Sequence, residues 1–199
     1  MPKKITLPSK LQEVAQDACK NMTNLTEVYF NGSLQDYCSI KWINSGAHPC
    51  VNASSSKPVH IIIDENEVIH IPQTTSFSIN GYAFYNNLAL VSADMRNVTS
   101  IGSQAFNGCK NLRWVVCPKN KISSTCFQGC TSLERVYIFK DTPKIEQKAF
   151  NLSNPLEVYY EGTEKEWETF KEKISTTNNE AILNPKAIYY GKKPEDMGI

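Results

Sequence analysis

The sequence lacks a long apolar run, and it lacks an excess of either charge. No segment of its 199 residues approaches the about 18 consecutive apolar residues that a transmembrane helix needs. Lysine and arginine number 21 against 20 aspartate and glutamate residues, and they are scattered along the chain. A nucleic-acid-binding surface or a polybasic membrane patch would require a basic stripe. We therefore expect no membrane insertion and no nucleic-acid partner.

The motifs of catalysis are also missing. There is no glycine-rich phosphate loop and no G-x-S-x-G turn, and the acidic residues do not cluster as a candidate pair. His60 and His70 fall in predicted strands and are interpreted as surface or edge residues. His48 lies close to Cys50 in a predicted loop, without an evident third group to orient its imidazole for nucleophilic catalysis. The sequence predicts a protein that is not an enzyme and uses no cofactor.

What the sequence does contain is a repeat centred on phenylalanine. Its four copies are separated by 22, 21 and 23 residues, and each has isoleucine five residues before the phenylalanine, a small residue one before and leucine six after. The phenylalanines are Phe84, Phe106, Phe127 and Phe150. A period of this length is typical of a solenoid, in which each unit buries its apolar edge against its neighbours. A degenerate fifth copy is centred on Cys19, with Val14 and Leu25 at matching positions.

The repeats are interrupted after residue 32, and the interrupting pattern occurs twice. Segment 28–33 resembles segment 158–163, which lies 130 residues later. Each copy continues through an N-cap residue into an amphipathic stretch, and only Thr163 with Glu166 fits the strict capping-box pattern, since Ser33 is followed by Asp36. The amphipathic stretches are 34–42 and 164–174, and the strands predicted after them are 59–63 and 187–190. We interpret each copy as a repeat followed by a glycine turn, a helix and a strand.

These patterns predict one solenoid domain over residues 1–199. The predicted repeats lie near 5–32, 69–97, 98–118, 119–142 and 143–162, with helix-plus-strand insertions at 33–63 and 163–190. Hydrophobic residues make up 41% of the chain, which is enough to fill a continuous core. The loop 43–58 matches no repeat.

The repeat resembles a known family. The segment from Ile101 to Leu112, followed by Val115, looks like the consensus of BspA-like leucine-rich repeats, and 122–136 matches it again with Cys126 in place of alanine. Segment 162–167 is similar to a helical insertion common in bacterial members. The resemblance implies an α/β fold: a right-handed leucine-rich repeat solenoid with short parallel strands on one face and turns or short helices on the other. It also implies a secreted or cell-surface protein of a host-associated bacterium or a protozoan.

The N-terminus bears on localisation. Residues 1–4, with two lysines, look like the start of a signal peptide, but no apolar region follows them. Either the protein is cytosolic or its secretion signal is absent from this sequence. With the resemblance, we expect a secreted or cell-surface protein whose signal peptide is absent here.

The seven cysteines allow two interpretations. Cys109 and Cys130 each lie three residues after a repeat phenylalanine, so stacking would bring them together. The simpler interpretation is a row of buried, reduced thiols, because a free cysteine packs as a small hydrophobe. The alternative is a Cys109–Cys130 disulfide, although stacked positions need not meet disulfide geometry. The only C-x3-C pair has no partner pair and no histidine at ligand spacing, so no metal site is predicted.

The strand register predicts which side chains point out of the solenoid. Side chains alternate across a strand, and stacked strands place equivalent residues in columns about 4.8 Å apart. The predicted outward residues are Trp114, Arg135 and Glu157 in one column, and Val116, Tyr137 and Tyr159 in the next, with Asp94 continuing the pattern. Aromatic residues and arginine are the composition favoured at interface hot spots. The alternatives are that the ladder only stabilises the sheet, or that another copy or more of the parent protein covers it.

Two functions are consistent with these features. The first is an adhesion-like protein-binding module that recognises a host or microbial surface protein, or alternatively a glycan, through the strand face. The second is a structural spacer whose repeats project another domain. An aromatic, exposed strand face favours binding, and a uniformly polar one favours the spacer.

Overall fold

The computed structural model describes residues 1–198, which form short strands joined by turns and short helices. The strands are β1 (Lys4–Leu7), β2 (Glu13–Val14), β3 (Glu27–Phe30), β4 (Lys41–Trp42), β5 (His60–Ile63), β6 (Asn66–Glu67), β7 (His70–Ile71), β8 (Ser92–Asp94), β9 (Trp114–Val116), β10 (Arg135–Ile138), β11 (Glu157–Tyr160) and β12 (Ala187–Tyr189). The helices are α1 (Leu34–Ser39), α2 (Glu164–Phe170) and α3 (Glu180–Leu183). Within residues 1–198 no helix has the length and apolar character needed to cross a membrane.

The strands form two main sheets. The first sheet has the order β1-β3-β5-β6, with parallel pairs except for the antiparallel pair of β5 and β6. The second sheet has the order β7-β8-β9-β10-β11-β12, and its neighbours pair in parallel. The strands predicted at 59–63 and 187–190 are observed as β5 and β12. The predicted single strand face is therefore divided into two, because a hairpin at 64–65 ends the first sheet.

The repeat phenylalanines form a continuous stack in the core. Their rings are fully buried, and successive centroids lie 5.3, 5.6 and 5.2 Å apart with interplanar angles of 16°, 17° and 22°. Tyr37 of α1 extends the stack by one ring, since its centroid lies 5.9 Å from that of Phe84. Offset stacking of aromatic rings adds to the stabilisation from buried area. The first helix thus supplies an aromatic residue where the interrupted repeat has none.

Backbone hydrogen bonds join each phenylalanine to the residue that precedes the next phenylalanine. The Phe84 amide donates to the carbonyl of Ala105 at 2.8 Å, and the Phe127 amide donates to that of Ala149 at 2.9 Å. At the end of the stack a side chain replaces the backbone carbonyl as the acceptor: Asn179 Oδ1 accepts the Phe150 amide at 2.9 Å. Asn179 lies five residues after Ile174, in the position that phenylalanine holds elsewhere. The last repeat is thereby closed by a polar side chain.

A left-handed turn residue marks each repeat. It lies two positions before the phenylalanine, with φ of 63°, 60°, 56° and 56° at Tyr82, Gln104, Thr125 and Lys148. Asp17, with φ of 57°, has the same position relative to Cys19. Non-glycine residues seldom adopt this conformation. The shared turn therefore supports the alignment of segment 14–25 with the other repeats.

The seven cysteines are buried free thiols. Cys109 Sγ lies 3.0 Å from the carbonyl oxygen of Phe84, and Cys130 Sγ lies 3.1 Å from that of Phe106. Each thiol donates to the carbonyl oxygen of the phenylalanine one repeat earlier. Burial raises the pKa of the Cys109 thiol to about 12. The structure has this row of thiols in place of the alternative Cys109–Cys130 disulfide.

Both insertions begin with a reciprocal capping box. Ser33 Oγ accepts the Asp36 amide at 3.2 Å while the Asp36 carboxylate accepts the Ser33 amide at 3.0 Å. Thr163 and Glu166 make the same pair of contacts. The expectation that only the second copy forms a capping box was too strict, because aspartate also reaches the N-cap amide. Each box starts a helix that packs its aromatic side against the core.

The loop 43–58 closes the other end of the stack, and His48 is its buried centre. His48 Nε2 lies 3.0 Å from both the Tyr37 hydroxyl and the Ala83 carbonyl oxygen, and Nδ1 accepts the Cys50 amide at 3.2 Å. No sequence pattern indicated these partners. Burial lowers the pKa of His48 to about 3, because a charged imidazole would lose its hydration. His48 therefore acts as a neutral structural group between the first module and the repeats.

Truncating the stack should destabilise the whole chain. We expect Phe106→Ala to lower the free energy of unfolding by about 3–5 kcal/mol, because it removes a ring packed on both faces and leaves a cavity. Urea denaturation followed by circular dichroism measures the change. Phe77→Ala, at a half-buried site outside the stack, is the matched control and should cost about 1 kcal/mol. Equal losses in the two variants would contradict a special role for the stack.

The neutral state of His48 predicts an acid-sensitive fold. The unfolded imidazole binds a proton below about pH 6.5, whereas the folded one does not until about pH 3. The free energy of unfolding should therefore fall as the pH drops below about 6.5, by about 2 kcal/mol at about pH 5. Urea denaturation at about pH 7.5 and about pH 5 measures this loss. It should shrink in His48→Gln and persist in the control His70→Gln; an unchanged pH dependence in His48→Gln would refute the explanation.

Candidate functional site

Each sheet has an outer side that faces away from the core. We call the outer side of the second sheet the second strand face. Its pairing places Trp114, Arg135 and Glu157 in one column. The next column contains Asp94, Val116, Tyr137 and Tyr159, and Tyr189 continues it. The columns have the expected composition, and the binding role of their residues stays a prediction.

The expected exposure of these residues was wrong for three of them. Asp94, Val116 and Tyr137 expose only 7%, 0% and 1% of their surfaces. Trp114, Arg135, Glu157 and Tyr159 are half-buried. Val116 and Tyr137 belong to a second apolar cluster, separate from the main core, which Met197 completes. The second strand face is covered by residues 191–197 of the same chain, which we call the covering segment.

The covering segment is held by backbone contacts. The Tyr137 hydroxyl donates to the Lys192 carbonyl oxygen at 2.7 Å, and the Arg135 guanidinium donates to the carbonyl oxygen of Met197. The Met197 side chain is 2% exposed and packs against Tyr137. Burial is the main reason that the pKa of Tyr137 is raised, with nearby carboxylates adding to it. An outward tyrosine and an outward arginine thus bind a peptide backbone.

An ion-pair chain fixes one edge of the covering segment. Arg96 Nη2 lies 2.7 Å from Asp94 Oδ2, and Arg96 Nη1 lies 2.6 Å from Glu195 Oε1. The hydrogen bond from Arg96 lowers the pKa of Glu195. Asp94, whose predicted binding role stays a prediction, orients the arginine that pairs with the segment.

The start of the covering segment was not recognised in the sequence. After β12 the Gly191 amide donates to the Gly162 carbonyl oxygen at 2.8 Å, and the Lys192 amide donates to that of Tyr160 at 3.0 Å. Gly191 has φ of 63°, which suits glycine. One sequence feature could have indicated the segment: Pro194 and Met197 follow Gly191 at intervals of three residues. Both side chains are buried in the structure.

Among residues 1–198 nothing covers the outer side of the first sheet in this way, and we call that side the first strand face. Its pairing places Lys4, Glu27 and His60 in one row, and Thr6, Tyr29 and Ile62 in the next. A groove of about 980 Å³ lies over this face. Its rim includes Asp64, Glu65 and Glu67. Sequence reasoning considered only the later strands and missed this face.

Hydrogen bonds order the floor of the groove. Glu27 Oε2 accepts from Lys4 Nζ at 2.7 Å and from the Tyr29 hydroxyl at 2.7 Å. These bonds, that from Lys4 first, lower the pKa of Glu27. His60 Nδ1 pairs with the carboxylate of Glu67 on β6. In residues 1–198 no three histidine, cysteine, aspartate or glutamate side chains are arranged to hold a metal ion.

Comparison with known proteins identifies the repeats. A family model described as BspA type leucine-rich repeat region matches residues 2–46 and 65–183 in six copies. No curated protein matches the chain at a significant level. Segments 47–64 and 184–199 lie outside the family match.

Solved structures of bacterial proteins are also similar. They include the pneumococcal vaccine antigen PcpA (18% identity, TM-score 0.45) and a leucine-rich repeat protein from Bacteroides ovatus (18%, 0.48). A leucine-rich cell surface protein from Faecalibacterium prausnitzii has 16% identity and a TM-score of 0.38. The alignments cover 96%, 96% and 83% of this chain but only 42%, 42% and 62% of those chains. The chain thus spans less than two thirds of each.

The apolar anchor of the covering segment can be tested directly. We expect Met197→Asp to release residues 191–197, because a buried carboxylate without a partner is strongly unfavourable. Hydrogen exchange measured by mass spectrometry should show loss of protection in this segment and at Tyr137, while the phenylalanine stack stays protected. Met197→Leu keeps an apolar side chain and should leave the protection unchanged. Equal protection in the Asp and Leu variants would contradict the anchoring role.

Proposed function

The chain belongs to the BspA-type leucine-rich repeat family, and we propose that it is a non-catalytic protein-binding module of a secreted or cell-surface protein. Repeats of this family are typically non-catalytic. In this proposal the parallel strands form the binding side of a right-handed solenoid, and the turns and short helices form the opposite side. The partner is a host or microbial surface protein, which makes the module adhesion-like.

One observation carries this proposal: the second strand face already holds a peptide segment, residues 191–197, which ends in a short 3-10 helix at Pro194–Met197. Tyr137 and Arg135 donate to two backbone carbonyl oxygens, Met197 fills an apolar site, and Arg96 pairs with Glu195. Backbone hydrogen bonds supply affinity without regard to sequence, whereas the apolar site and the ion pair supply selectivity. A face with all three properties is suited to recognising a segment of another protein.

The spacer function remains a second candidate, and the same contact favours it. A strand face that its own chain covers has less surface for a partner. The covering segment leaves Trp114, Arg135, Glu157 and Tyr159 half-buried, so the second strand face is only partly closed. Aromatic and arginine side chains at such a rim are typical of interface hot spots. We therefore place protein binding first.

Binding to a panel of extracellular-matrix proteins and mucins tests the proposal. We expect specific binding by the wild-type chain that weakens by about tenfold or more in Trp114→Ala/Tyr159→Ala, because two half-buried aromatic contacts are lost. These residues are preferable to Tyr137, whose removal would also detach the covering segment. Surface plasmon resonance gives the affinities.

The matched control is Tyr82→Ala/Tyr85→Ala, which removes two half-buried aromatic residues from the turns. Binding that survives in both variants would keep the function and discard the second strand face as the site. Absence of binding to every panel protein would favour the spacer.

A further inference from the structure

The two strand faces derive from one duplicated pattern but differ in their cover. Glu27 and Tyr29 on β3 correspond to Glu157 and Tyr159 on β11, 130 residues later. On β11 the neighbouring chain turns at Gly191 and crosses the face. On the first sheet the chain turns back at residues 64–65 to form β6, so the face stays open. The first strand face is thus the uncovered counterpart of a surface that holds a peptide.

The two faces differ in charge: the second strand face balances Arg96 and Arg135 against Asp94 and Glu157, whereas the first is acidic. On the second strand face Arg96 and Arg135 contact a segment that carries Glu195. The groove of the first strand face is lined by four carboxylates, those of Glu27, Asp64, Glu65 and Glu67, against one lysine, Lys4, and one histidine, His60. Within residues 1–198 Asp64 and Glu65 make no ion pair, whereas Glu27 and Glu67 do. Two carboxylates at the rim are therefore free to meet cations.

The turn that carries these two acids has the left-handed conformation of a two-residue hairpin. Asp64 and Glu65 have φ of 50° and 62°, a conformation for which Asn-Gly is the favoured pair in a two-residue hairpin. A glutamate here is both strained and unpaired.

The floor of the groove offers an apolar contact. Tyr29 and Ile62 are neighbours in register, and both are half-buried on the outer side of the sheet. They occupy the middle of the face, as Val116 and Tyr137 do beneath Met197 on the second sheet. A peptide with an apolar side chain between two cationic ones would therefore match the groove, with the apolar side chain on the floor and the cations at the acidic rim.

We propose that the first strand face binds a lysine- or arginine-rich segment of a partner protein. Its cations pair with Asp64 and Glu65, and an apolar side chain packs on Tyr29 and Ile62. The proposal rests on the proposed protein-binding function and names the partner chemistry for the open face. A covering segment from a second copy carries Lys192 and Lys193 but also Glu195 and Asp196, so its charges cancel and it complements the acidic rim less well than a lysine- or arginine-rich segment.

The test uses the full chain and a fluorescein-labelled peptide, Gly-Lys-Lys-Pro-Lys-Lys-Met, in which lysine replaces the two acids of residues 191–197. Fluorescence anisotropy should give binding that is at least about fivefold tighter than that of Gly-Glu-Glu-Pro-Glu-Glu-Met and that weakens as salt rises from about 50 to about 300 mM. Nuclear magnetic resonance should place the shifts at Tyr29 and Ile62. Shifts confined to the second strand face would overturn the proposal.

The decisive variant is Asp64→Asn/Glu65→Gly, which removes both free carboxylates and installs the favoured turn pair. Its melting temperature should not fall below that of the wild type, so a loss of at least about fivefold in affinity reports on charge. Glu134→Gln/Glu172→Gln removes two exposed carboxylates elsewhere and should change affinity by less than about twofold. Equal affinity in the turn variant and wild type overturns the proposal. A chain that binds a matrix protein but not the lysine peptide would keep the proposed function and overturn this inference alone.

Discussion

Aromatic rings follow one another along the centre of the chain at 5.2–5.9 Å, from Tyr37 through the four repeat phenylalanines. This advance is close to the about 4.8 Å between neighbouring strands. The rings, the backbone hydrogen bonds between repeats and the strands therefore share nearly the same spacing from one repeat to the next. Because the stack fixes the register, it also fixes which outward side chains share a column. Each repeat buries its apolar edges only against its neighbours, so the strand faces depend on the stack beneath them.

A stack of this kind has two ends, and each end needs a structure that is not a repeat. At one end the ring of Tyr37 and the neutral imidazole of His48 close the first module against Phe84. At the other end Asn179 Oδ1 accepts the amide of Phe150, the last phenylalanine of the stack. Asn179 is itself held because its Nδ2 donates to the carbonyl oxygens of Glu146 and Ser175. Buried polar groups are tolerated there because they find partners. The ends are chemically different because one meets an inserted module and the other terminates the ladder.

The sequence allowed prediction of the structural features that recur along the chain. The spacing of Phe84, Phe106, Phe127 and Phe150 gave the repeat, and alternation along the strands gave the two outward columns. Single features had no second copy to reveal them. Tyr37 joins the stack from a helix, and His48 is buried by residues far away in the chain. The turn at 64–65 lacks the glycine that normally marks a hairpin. The cover over Val116 and Tyr137 comes from a segment that no pattern linked to that face.

The parts that determine the faces are thus the parts that do not repeat. Segment 47–64 brings the chain to the hairpin that leaves the first strand face open, and segment 184–199 contains the residues that cover the second. Both lie outside the family match. Repeats that share the stack can therefore carry faces that differ in cover and in charge, as the two modules of this chain already do. In the proposed function, the segments between and after the repeats determine how much of each strand face is available, while the repeats supply strand residues and the spacing at which they are presented.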